Sequence, residues 1–412
     1  MPPPLEFTMF LPPDDTLRVW DLRGELQTSV RWHEMIHEDH AAAFTVAKIA
    51  RLDVLAAVRR SLDTAMREGR TFEAWRDDIV PQLKREGWWG VVQDEALTGT
   101  DEAIVVNERR LRTIFTTNID MSRAAAQWNK IQREKERFPY LRYLSDHWRE
   151  HPRQDHESWH GLIFRVDDPW WQTHFPPNGW GCKCGVQQVT ESMMRDRGWT
   201  VSKGPEQGPP RPFYPAGRSD PVLVPPGIHP GFSYNPGTAH LRAIAAKAND
   251  SIDKAVEAGL DAEARRVLEK LAADPAFTQF RTLPDAPFPI QILDPEQAAS
   301  IRSKVRTVRL SLPSIEKQNA NHPELTDADY ARLPQMVAEP EFIEPQGSRR
   351  LAFYRRHEGR WYRAAIKTTV PGDELYLLHY QYLRQEEMDR IRDRRLLFAG
   401  WSRLLLEWVG AR

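Results

Sequence analysis

Cysteine is almost absent from this 412-residue sequence. Only two cysteines occur, Cys182 and Cys184, with one residue between them. That spacing suits a structural disulfide poorly, which excludes a disulfide-stabilised scaffold. No run of about 18 apolar residues without charge occurs, which excludes a membrane-spanning helix. The beginning of the chain also lacks the basic residues and the apolar stretch of a secretory signal. We therefore expect a soluble, intracellular protein.

Neither sign of charge predominates. The chain has 57 lysines and arginines against 58 aspartates and glutamates, which gives a formal net charge of -1. This balance argues against nucleic-acid binding by the whole chain and leaves a local basic patch possible. The composition, 41% hydrophobic and 28% charged, is typical of globular proteins. At about 150 residues per domain, the length predicts two or three domains.

Proline and glycine concentrate between Pro205 and Pro236. Proline removes backbone donors and fixes φ, so this stretch is neither a long helix nor a central strand. It is an extended linker or a strap that lies on another surface. We predict an α+β, multidomain fold with five segments: a mainly helical 1–200, the linker or strap 201–238, a helical connector 239–284, a small α+β domain with an antiparallel sheet at 285–395, and a C-terminal helix 396–412.

Apolar residues recur at three- and four-residue steps from Phe44 to Leu62, which predicts an amphipathic helix. Gly69 is a candidate C-cap and Thr71 a candidate N-cap of the next helix, and we expect Pro81 near the start of a further short helix. Late in the chain, three runs rich in aromatic and branched residues predict antiparallel strands separated by turns: 350–356, 360–367 and 374–382.

Residues that favour metal binding cluster between 146 and 184. Zinc prefers four thiolate and imidazole ligands in a tetrahedron, and His156 and His160 share one face if the segment is helical. With Cys182 and Cys184 they make a candidate structural zinc site that pins the Pro- and Trp-rich loop 168–184. The Cys-Lys-Cys spacing is tighter than the usual two-residue separation. The alternative is a rigid loop with reduced cysteines and surface histidines. The ligand-type residues are Asp146, His147, His151, Asp155, His156, His160, His174, Cys182 and Cys184.

Five motifs occur in order along the first half of the chain: Ala43-Phe-Thr-Val-Ala-Lys48, Glu86-Gly-Trp-Trp-Gly90, Thr116-Thr-Asn118, the segment Arg153 to His156, and Pro176-Pro-Asn-Gly-Trp-Gly-Cys-Lys-Cys184. Together they resemble the phage Mu F-type minor head protein, or phage head morphogenesis, family. The resemblance covers roughly residues 20–200. It implies a virion protein of a tailed phage or prophage that enters the procapsid with the portal and assists head assembly, DNA packaging or ejection. The positions that match the family's characteristic polar residues are Asp146, His156, Cys182 and Cys184.

The C-terminal domain contains the element His322-Pro-Glu-Leu-Thr326 and the strand motif Tyr362-Arg-Ala-Ala-Ile-Lys367. On these motifs, residues of about 290–395 resemble the phage barnase/EndoU-like nuclease domains that are often fused to Mu F-type proteins. It implies metal-independent RNA cleavage. That chemistry needs a base for the 2′-hydroxyl, an acid for the 5′-oxygen and a cation for the developing charge. His322 and His379 are the candidate proton-transfer groups, Lys367 the candidate cation, and Arg349 or Arg350 the candidate phosphate holder. His379-Tyr-Gln-Tyr382 departs from the family pattern, in which a Ser or Thr is expected.

Two hypotheses from different classes follow. In the first, the chain is a structural virion component that binds portal protein, major capsid or scaffold protein, or packaged DNA, and its C-terminal domain is inactive. In the second, the same chain also delivers a ribonuclease that acts on host RNA. Either implies a location in the phage head, and in the host cytoplasm during assembly. The N-terminal half is not expected to be an enzyme. A metalloenzyme built on the cysteine and histidine cluster is weaker, because no His-Glu-x-x-His helix occurs.

Overall fold

The computed structural model describes residues 14–145, 153–205, 208–273, 277, 280, 281 and 287–391. The predicted helix 396–412 and the residues Asp146, His147 and His151 lie outside these ranges. The chain divides into two compact units, residues 1–244 (unit 1) and 245–412 (unit 2). Among the described residues, no helix combines the length and the apolar character that a membrane crossing needs.

Unit 1 combines helices with short sheets. Its helices are α1 (Asp14–Leu22), α2 (Glu38–Ala42), α3 (Leu52–Arg67), α4 (Phe72–Arg85), α5 (Glu95–Thr98), α6 (Glu108–Glu134), α7 (Gln154–Ser158), α8 (Trp171–His174) and α9 (Glu191–Asp196). Its strands are β1 (Glu25–Leu26), β2 (Ala43–Phe44), β3 (Gly90–Val92), β4 (Ile104–Val106), β5 (Tyr140–Leu144), β6 (Ile163–Arg165), β7 (Gly185–Val189), β8 (Arg211–Phe213) and β9 (Val222–Val224). Helix α10 (Pro236–Glu257) crosses the division between the units.

Helices α1, α3, α4 and α6 enclose the main core of unit 1, which contains the buried indoles of Trp20, Trp75 and Trp88. The predicted amphipathic helix is confirmed only from Leu52 onward, as α3. Its first part was wrong, because Phe44 belongs to β2, and Ala47 and Ile49 form isolated β-bridges with Ser29. Gly69 follows α3 in the left-handed region with φ 65°. The N-cap prediction is also confirmed, since the Thr71 side chain accepts a hydrogen bond from the backbone N–H of Ala74.

The prediction for Pro81 was wrong. Helix α4 runs without interruption from Phe72 to Arg85, and Pro81 lies inside it. Proline costs a helix one backbone hydrogen bond and strains the preceding turn. Here Trp75, Ile79 and Leu83 are buried on one face of α4, and this burial holds the helix together across the proline.

A three-stranded antiparallel sheet in the order β6-β5-β7 organises the later part of unit 1. Helix α7 lies in the connection between β5 and β6, whereas both cysteines precede β7. Leu144, the last residue of β5, pairs with Gly185, the first residue of β7. This pairing places the C-terminal end of β5 beside the N-terminal end of β7.

Unit 2 is a mixed α+β domain. Its strands are β10 (Phe288–Ile292), β11 (Thr307–Leu310), β12 (Phe342–Pro345), β13 (Arg350–His357), β14 (Arg360–Thr368) and β15 (Leu375–Leu383). They form one sheet in the order β10-β11-β15-β14-β13-β12, with β11 and β15 parallel and the other neighbours antiparallel. Its described helices beyond α10 are α11 (Asp261–Ala272), α12 (Pro295–Ser300), α13 (Leu312–Asn321), α14 (Asp327–Ala331) and α15 (Leu333–Ala338).

The three predicted strands of this sheet are confirmed as β13, β14 and β15, and the sequence missed the other three. Strand β10 contains Pro289, which argues against a central strand. A proline is tolerated at a sheet edge because the missing donor then has no partner to lose, and β10 is an edge strand.

One carboxylate in the core of unit 2 is held by hydrogen bonds from several elements. Asp329 is 2% exposed and accepts hydrogen bonds from the Thr326 hydroxyl at 2.6 Å and the Tyr362 hydroxyl at 2.9 Å. Burial raises the pKa of Asp329, but the hydrogen bonds from Thr326, Tyr382 and Tyr362 outweigh it, so this pKa lies below its ordinary value. The charged form is therefore the one that the fold stabilises.

A close approach of α10 to α6 in unit 1 gives a test of the packing. A Cβ atom added to Gly237 would lie 2.4 Å from the Cβ of Trp128, and Trp128 is fully buried. Replacing glycine by alanine in a helix gains at most about 1 kcal/mol, whereas overpacking a core costs about 1–3 kcal/mol or more. We expect Gly237→Ala to lower the melting temperature of the full-length protein in thermal unfolding.

Gly204→Ala is the matched control, since an added Cβ meets nothing within 4 Å there. Equal melting temperatures for the two variants would contradict the packing described for α6 and α10.

Candidate functional site

Three ligand-type side chains of unit 1 meet at the end of the sheet β6-β5-β7. His156 lies in α7, and Cys182 and Cys184 precede β7. Their ligand atoms all lie within 4.8 Å of one another. His156 is 4% and Cys182 5% exposed, so the cluster is largely shielded from water. No fourth His, Cys, Asp or Glu among the described residues joins the group.

The spacing of the cluster fits tetrahedral zinc. His156 Nδ1 lies 3.7 Å from Cys182 Sγ and 3.5 Å from Cys184 Sγ. Zinc bonds of about 2.3 Å to sulfur and about 2.1 Å to nitrogen, at tetrahedral angles, separate the two ligand atoms by about 3.6 Å. The same distances also suit S–H···N hydrogen bonds from the thiols to the imidazole. A bound metal would displace the thiol protons.

The imidazole of His156 is oriented by the backbone of the Pro-rich stretch. Its Nε2 lies 3.0 Å from the carbonyl oxygen of Gly227, so Nε2 carries the proton and donates. Nδ1 is then left with a lone pair directed at the two sulfurs. The ring also stacks on Trp159, with centroids 4.9 Å apart and planes at 21°.

Gly227 is required where it contacts α7. Its φ is +79°, and an added Cβ would lie 2.5 Å from the Cβ of Asp155 and 2.8 Å from Cζ2 of Trp159. A side chain at this position would displace the carbonyl that accepts from His156. The Pro- and Gly-rich segment therefore contacts α7 at Gly227, and we call its residues 208–236 the strap.

The thiol of Cys182 is held in its neutral form. A hydrogen bond with Cys184 and burial raise the pKa of the Cys182 thiol well above its ordinary value. Burial and the neighbouring cysteines likewise raise the pKa of Tyr143, whose hydroxyl donates to Asn178 Oδ1 at 2.8 Å. Metal binding must therefore release thiol protons, which couples metal affinity to pH.

The structure does not bring His160 into the cluster. Its Nδ1 accepts a hydrogen bond from the backbone N–H of Ser145 at 3.2 Å. His174 belongs instead to the aromatic packing of the loop, because it stacks on Trp170 at 4.3 Å and meets Trp159 edge-on at 5.0 Å. Helix α7 ends at Ser158, so His156 and His160 do not share a helical face as the spacing predicted.

Unit 2 carries a separate group of cationic side chains around His379 on β15. Its Nε2 lies 3.5 Å from Lys317 Nζ. Burial and the positive charges of Lys317, Arg363, His322 and Arg350 lower the pKa of His379, which favours the neutral imidazole. Arg350 pairs across the sheet with Lys367, so these two side chains lie on the same face.

The charges of His322 and Arg350 reach His379, and Lys367 is the cross-strand neighbour of Arg350. His322 is the C-cap residue of α13, and its Nδ1 lies 3.2 Å from Glu324 Oε1. Sequence reasoning missed Lys317 and Arg363. Arg363 could have been found, because it shares the two-residue alternation of β14 with Lys367. Lys317 lies on a helix, and no sequence pattern connects it to β15.

Comparisons with known proteins find similarity within unit 1. Residues 56–187 match the family model described as Phage Mu protein F like protein. This segment is therefore similar to the Mu F family. It includes His156, Cys182 and Cys184, and the predicted resemblance is confirmed for it. The match ends before unit 2, so the nuclease resemblance of 290–395 stays a prediction.

Two curated relatives share this similarity. The chain is 33% identical over 202 residues to "Putative capsid assembly protein F" of Escherichia phage Mu, which covers 48% of this chain and 45% of that protein. It is 37% identical over 171 residues to the Mu-like prophage FluMu F protein of Haemophilus influenzae, which covers 42% of this chain and 40% of that protein. The chain therefore aligns with less than half the length of either relative. No solved structure matches it.

The metal centre is tested by elemental analysis of the full-length protein purified under reducing conditions. We expect about one zinc per chain, lost in Cys182→Ser and in His156→Ala, together with a lower melting temperature after chelation. His160→Ala is the matched control and keeps its zinc, since His160 lies outside the cluster. Zinc well below about a tenth of an equivalent, with an unchanged melting temperature after chelation, would remove the metal from this site.

Proposed function

We propose that this chain is a minor head protein of a tailed phage or prophage that takes part in capsid assembly. The observation that carries this proposal is the Mu F-like segment 56–187, together with the capsid assembly protein of phage Mu as a relative. Its partners are the portal protein and the major capsid or scaffold protein. It is present in the virion, and in the host cytoplasm during assembly.

Within this function, the zinc site is structural. The loop 168–184 is rich in proline and tryptophan and forms no ladder of its own, so side-chain contacts must fix it. His156, Cys182 and Cys184 would join α7, the loop and the start of β7 through one ion. A buried site of this kind stabilises an assembly surface without catalysing a reaction, and the Mu F-like half is not an enzyme in this proposal.

Packaged DNA is a further, non-specific partner, although the Arg109–Arg112 stretch contributes little to it. Arg110 donates to the backbone oxygen of Ala47 at 2.6 Å. Arg112 forms ion pairs with Glu73 and Glu108. Two of the three arginines in this stretch are therefore engaged within the protein, which leaves little charge for phosphates.

The assembly function is tested by deleting the gene in the phage or prophage that encodes it and complementing with variants. We expect wild type and His160→Ala to restore DNA-filled heads, counted by electron microscopy, and to appear in purified particles by mass spectrometry. Cys182→Ser should restore fewer filled heads, because the loop loses its anchor. Normal yields of infectious particles without the gene would overturn the assembly role, whereas full activity of Cys182→Ser would remove only the role of the metal.

The cationic group around His379 favours a second candidate function, a metal-independent ribonuclease in unit 2. A neutral His379 would take the proton of the 2′-hydroxyl, whose oxygen attacks phosphorus. The phosphorus–5′-oxygen bond then breaks, and His322 would return a proton to the leaving oxygen. Lys367 and Arg350 would stabilise the charge on the phosphate oxygens. Host RNA is the proposed substrate.

This activity is tested with the full-length protein and total RNA in EDTA. We expect products that end in a 2′,3′-cyclic phosphate, and activity reduced by about 10²-fold or more in His379→Ala and Lys367→Ala. His357→Ala is the matched control, because His357 lies at the far end of β13 beside Glu358. A folded wild-type protein without cleavage would establish the alternative, a virion protein whose C-terminal domain is inactive.

A further inference from the structure

A cleft of about 510 Å³ opens in unit 1 between the strap and the loop 168–184. Ordinary ligand pockets run from about 300 to 1,000 Å³. Its walls come from the beginning of α7, from residues 178–180 of the loop, and from strap positions 209, 211 and 226–229. The three residues of the candidate metal centre do not line it. The cleft is therefore a second candidate site, formed by three stretches that are distant in the sequence.

Positive charge exceeds negative charge on the walls of this cleft. Arg153 and Arg211 line it, and Asp155 is the single acidic residue among the described residues of its walls. Arg153 donates from Nη2 to the carbonyl oxygen of Trp180 at 2.8 Å. Its guanidinium lies close over Gly179, where an added Cβ would be 3.3 Å from Nη1. Arg211 is exposed at the first position of β8.

The histidine of this cleft is neutral and therefore carries one ring proton. Burial lowers the pKa of His229, and the positive charges of Arg153 and Arg211 lower it further. Each ring nitrogen nevertheless faces an N–H group. Nδ1 lies 3.2 Å from the backbone nitrogen of Gly231, and Nε2 lies 3.3 Å from the indole nitrogen of Trp180. A neutral imidazole accepts at only one nitrogen, because the other carries the proton. One of the two N–H groups consequently faces another donor.

The local backbone decides which nitrogen carries the proton. His229 caps the short turn Pro230–Phe232 by accepting from the N–H of Gly231, and the direction of this amide is fixed by the chain. The proton is therefore on Nε2. Trp180 is 38% exposed, and its contact with His229 is open to solvent. The Nε2–H of His229 and the indole N–H of Trp180 are thus two neighbouring donors, and neither accepts from the other.

We propose that this cleft binds a phosphate group, whose oxygens accept from the indole of Trp180 and from Nε2 of His229 in the positive field of Arg153 and Arg211. An oxygen beside the two ring nitrogens accepts from both and so removes the conflict between the donors. The excess positive charge favours an anion over water in this place. The acceptor directions of a carboxylate lie close to one plane. The tetrahedral phosphate suits donors that come from different walls better.

Two sources can supply this phosphate. The first is the backbone of DNA, and this source rests on the packaged DNA proposed above as a partner. The second is free phosphate, which needs no such function. Both share the oxyanion that the donors recognise, and the experiment separates them.

The test is calorimetric titration of the full-length protein with inorganic phosphate and with acetate, at equal ionic strength. We expect phosphate to bind at least about tenfold more tightly than acetate. Fluorescence anisotropy with a short labelled DNA duplex then identifies the source. Duplex binding that inorganic phosphate reduces at constant ionic strength assigns the site to the DNA backbone. Phosphate binding that the duplex does not affect assigns it to the free anion. The assembly role is tested separately by gene deletion and stands in either case.

His229→Asn separates the donor from the cap. The asparagine oxygen can still accept from the N–H of Gly231, but the variant lacks the donor at the position of Nε2. We expect phosphate binding about tenfold weaker or more, with an unchanged melting temperature. His229→Gln, whose amide nitrogen reaches the position of Nε2, should bind phosphate more tightly than His229→Asn does.

Trp180→Phe keeps an aromatic ring and removes the second donor, and we expect phosphate binding about tenfold weaker in this variant too. Arg218→Met is the matched control, because Arg218 is an exposed arginine of the strap that pairs with Asp39 and does not line the cleft. Should His229→Asn fail to fold, Trp180→Phe decides alone. No phosphate binding by wild type, acetate bound as tightly as phosphate, or unchanged phosphate binding in the folded donor variants would overturn the proposal.

Discussion

The hydrogen bond between His156 and the carbonyl of Gly227 is the contact on which the candidate metal centre depends. It fixes the tautomer of the imidazole, and so it decides that Nδ1 faces Cys182 and Cys184 with a lone pair. It also ties the Pro-rich strap to α7, because Gly227 reaches Asp155 and Trp159 too closely to carry a side chain. One backbone carbonyl thus links the strap, a short helix and the ligand geometry. A structural metal would reinforce an arrangement that hydrogen bonding has already oriented.

Asp329 and Arg23 show opposite solutions to the burial of a charge. Asp329 accepts hydrogen bonds from Thr326 and Tyr362, and its pKa is lowered in the folded protein. Its contribution to the stability of the fold is therefore complete above the ordinary carboxyl pKa. It is lost as the pH falls through the pKa of Asp329 in the folded protein. Arg23 donates one hydrogen bond, from Nη2 to Asn118, and its guanidinium lies over the Trp20 ring at 5.7 Å. Its Nε and Nη1 have no hydrogen-bond partner among the described residues. Asp329 therefore stabilises the fold through its hydrogen bonds, whereas the burial of Arg23 is compensated only in part, by one hydrogen bond and one aromatic ring.

The sequence predicted what local periodicity controls and missed what tertiary contacts control. Helix α3 and strands β13 to β15 follow from apolar spacing, and His156 with the two cysteines follows from ligand chemistry. The exclusion of His160 could not be foreseen, because it depends on α7 ending at Ser158 and on a hydrogen bond from Ser145. The role of Gly227 rests on a contact 71 residues away in the chain. Strand β10 was missed because its proline is acceptable only at a sheet edge, and edge position is a property of the whole sheet.

The net charge of -1 is a sum over the whole chain. Positive side chains can therefore cluster locally although the total charge is nearly zero. In unit 1, exposed helix charges neutralise one another, as Arg112 does with Glu73 and Glu108. Such pairs contribute little stability, but they remove positive charge from the surface that a polyanion meets. In unit 2, by contrast, cationic side chains lie together around His379. In the proposed ribonuclease function, this local group rather than the average charge of the protein would attract a phosphodiester.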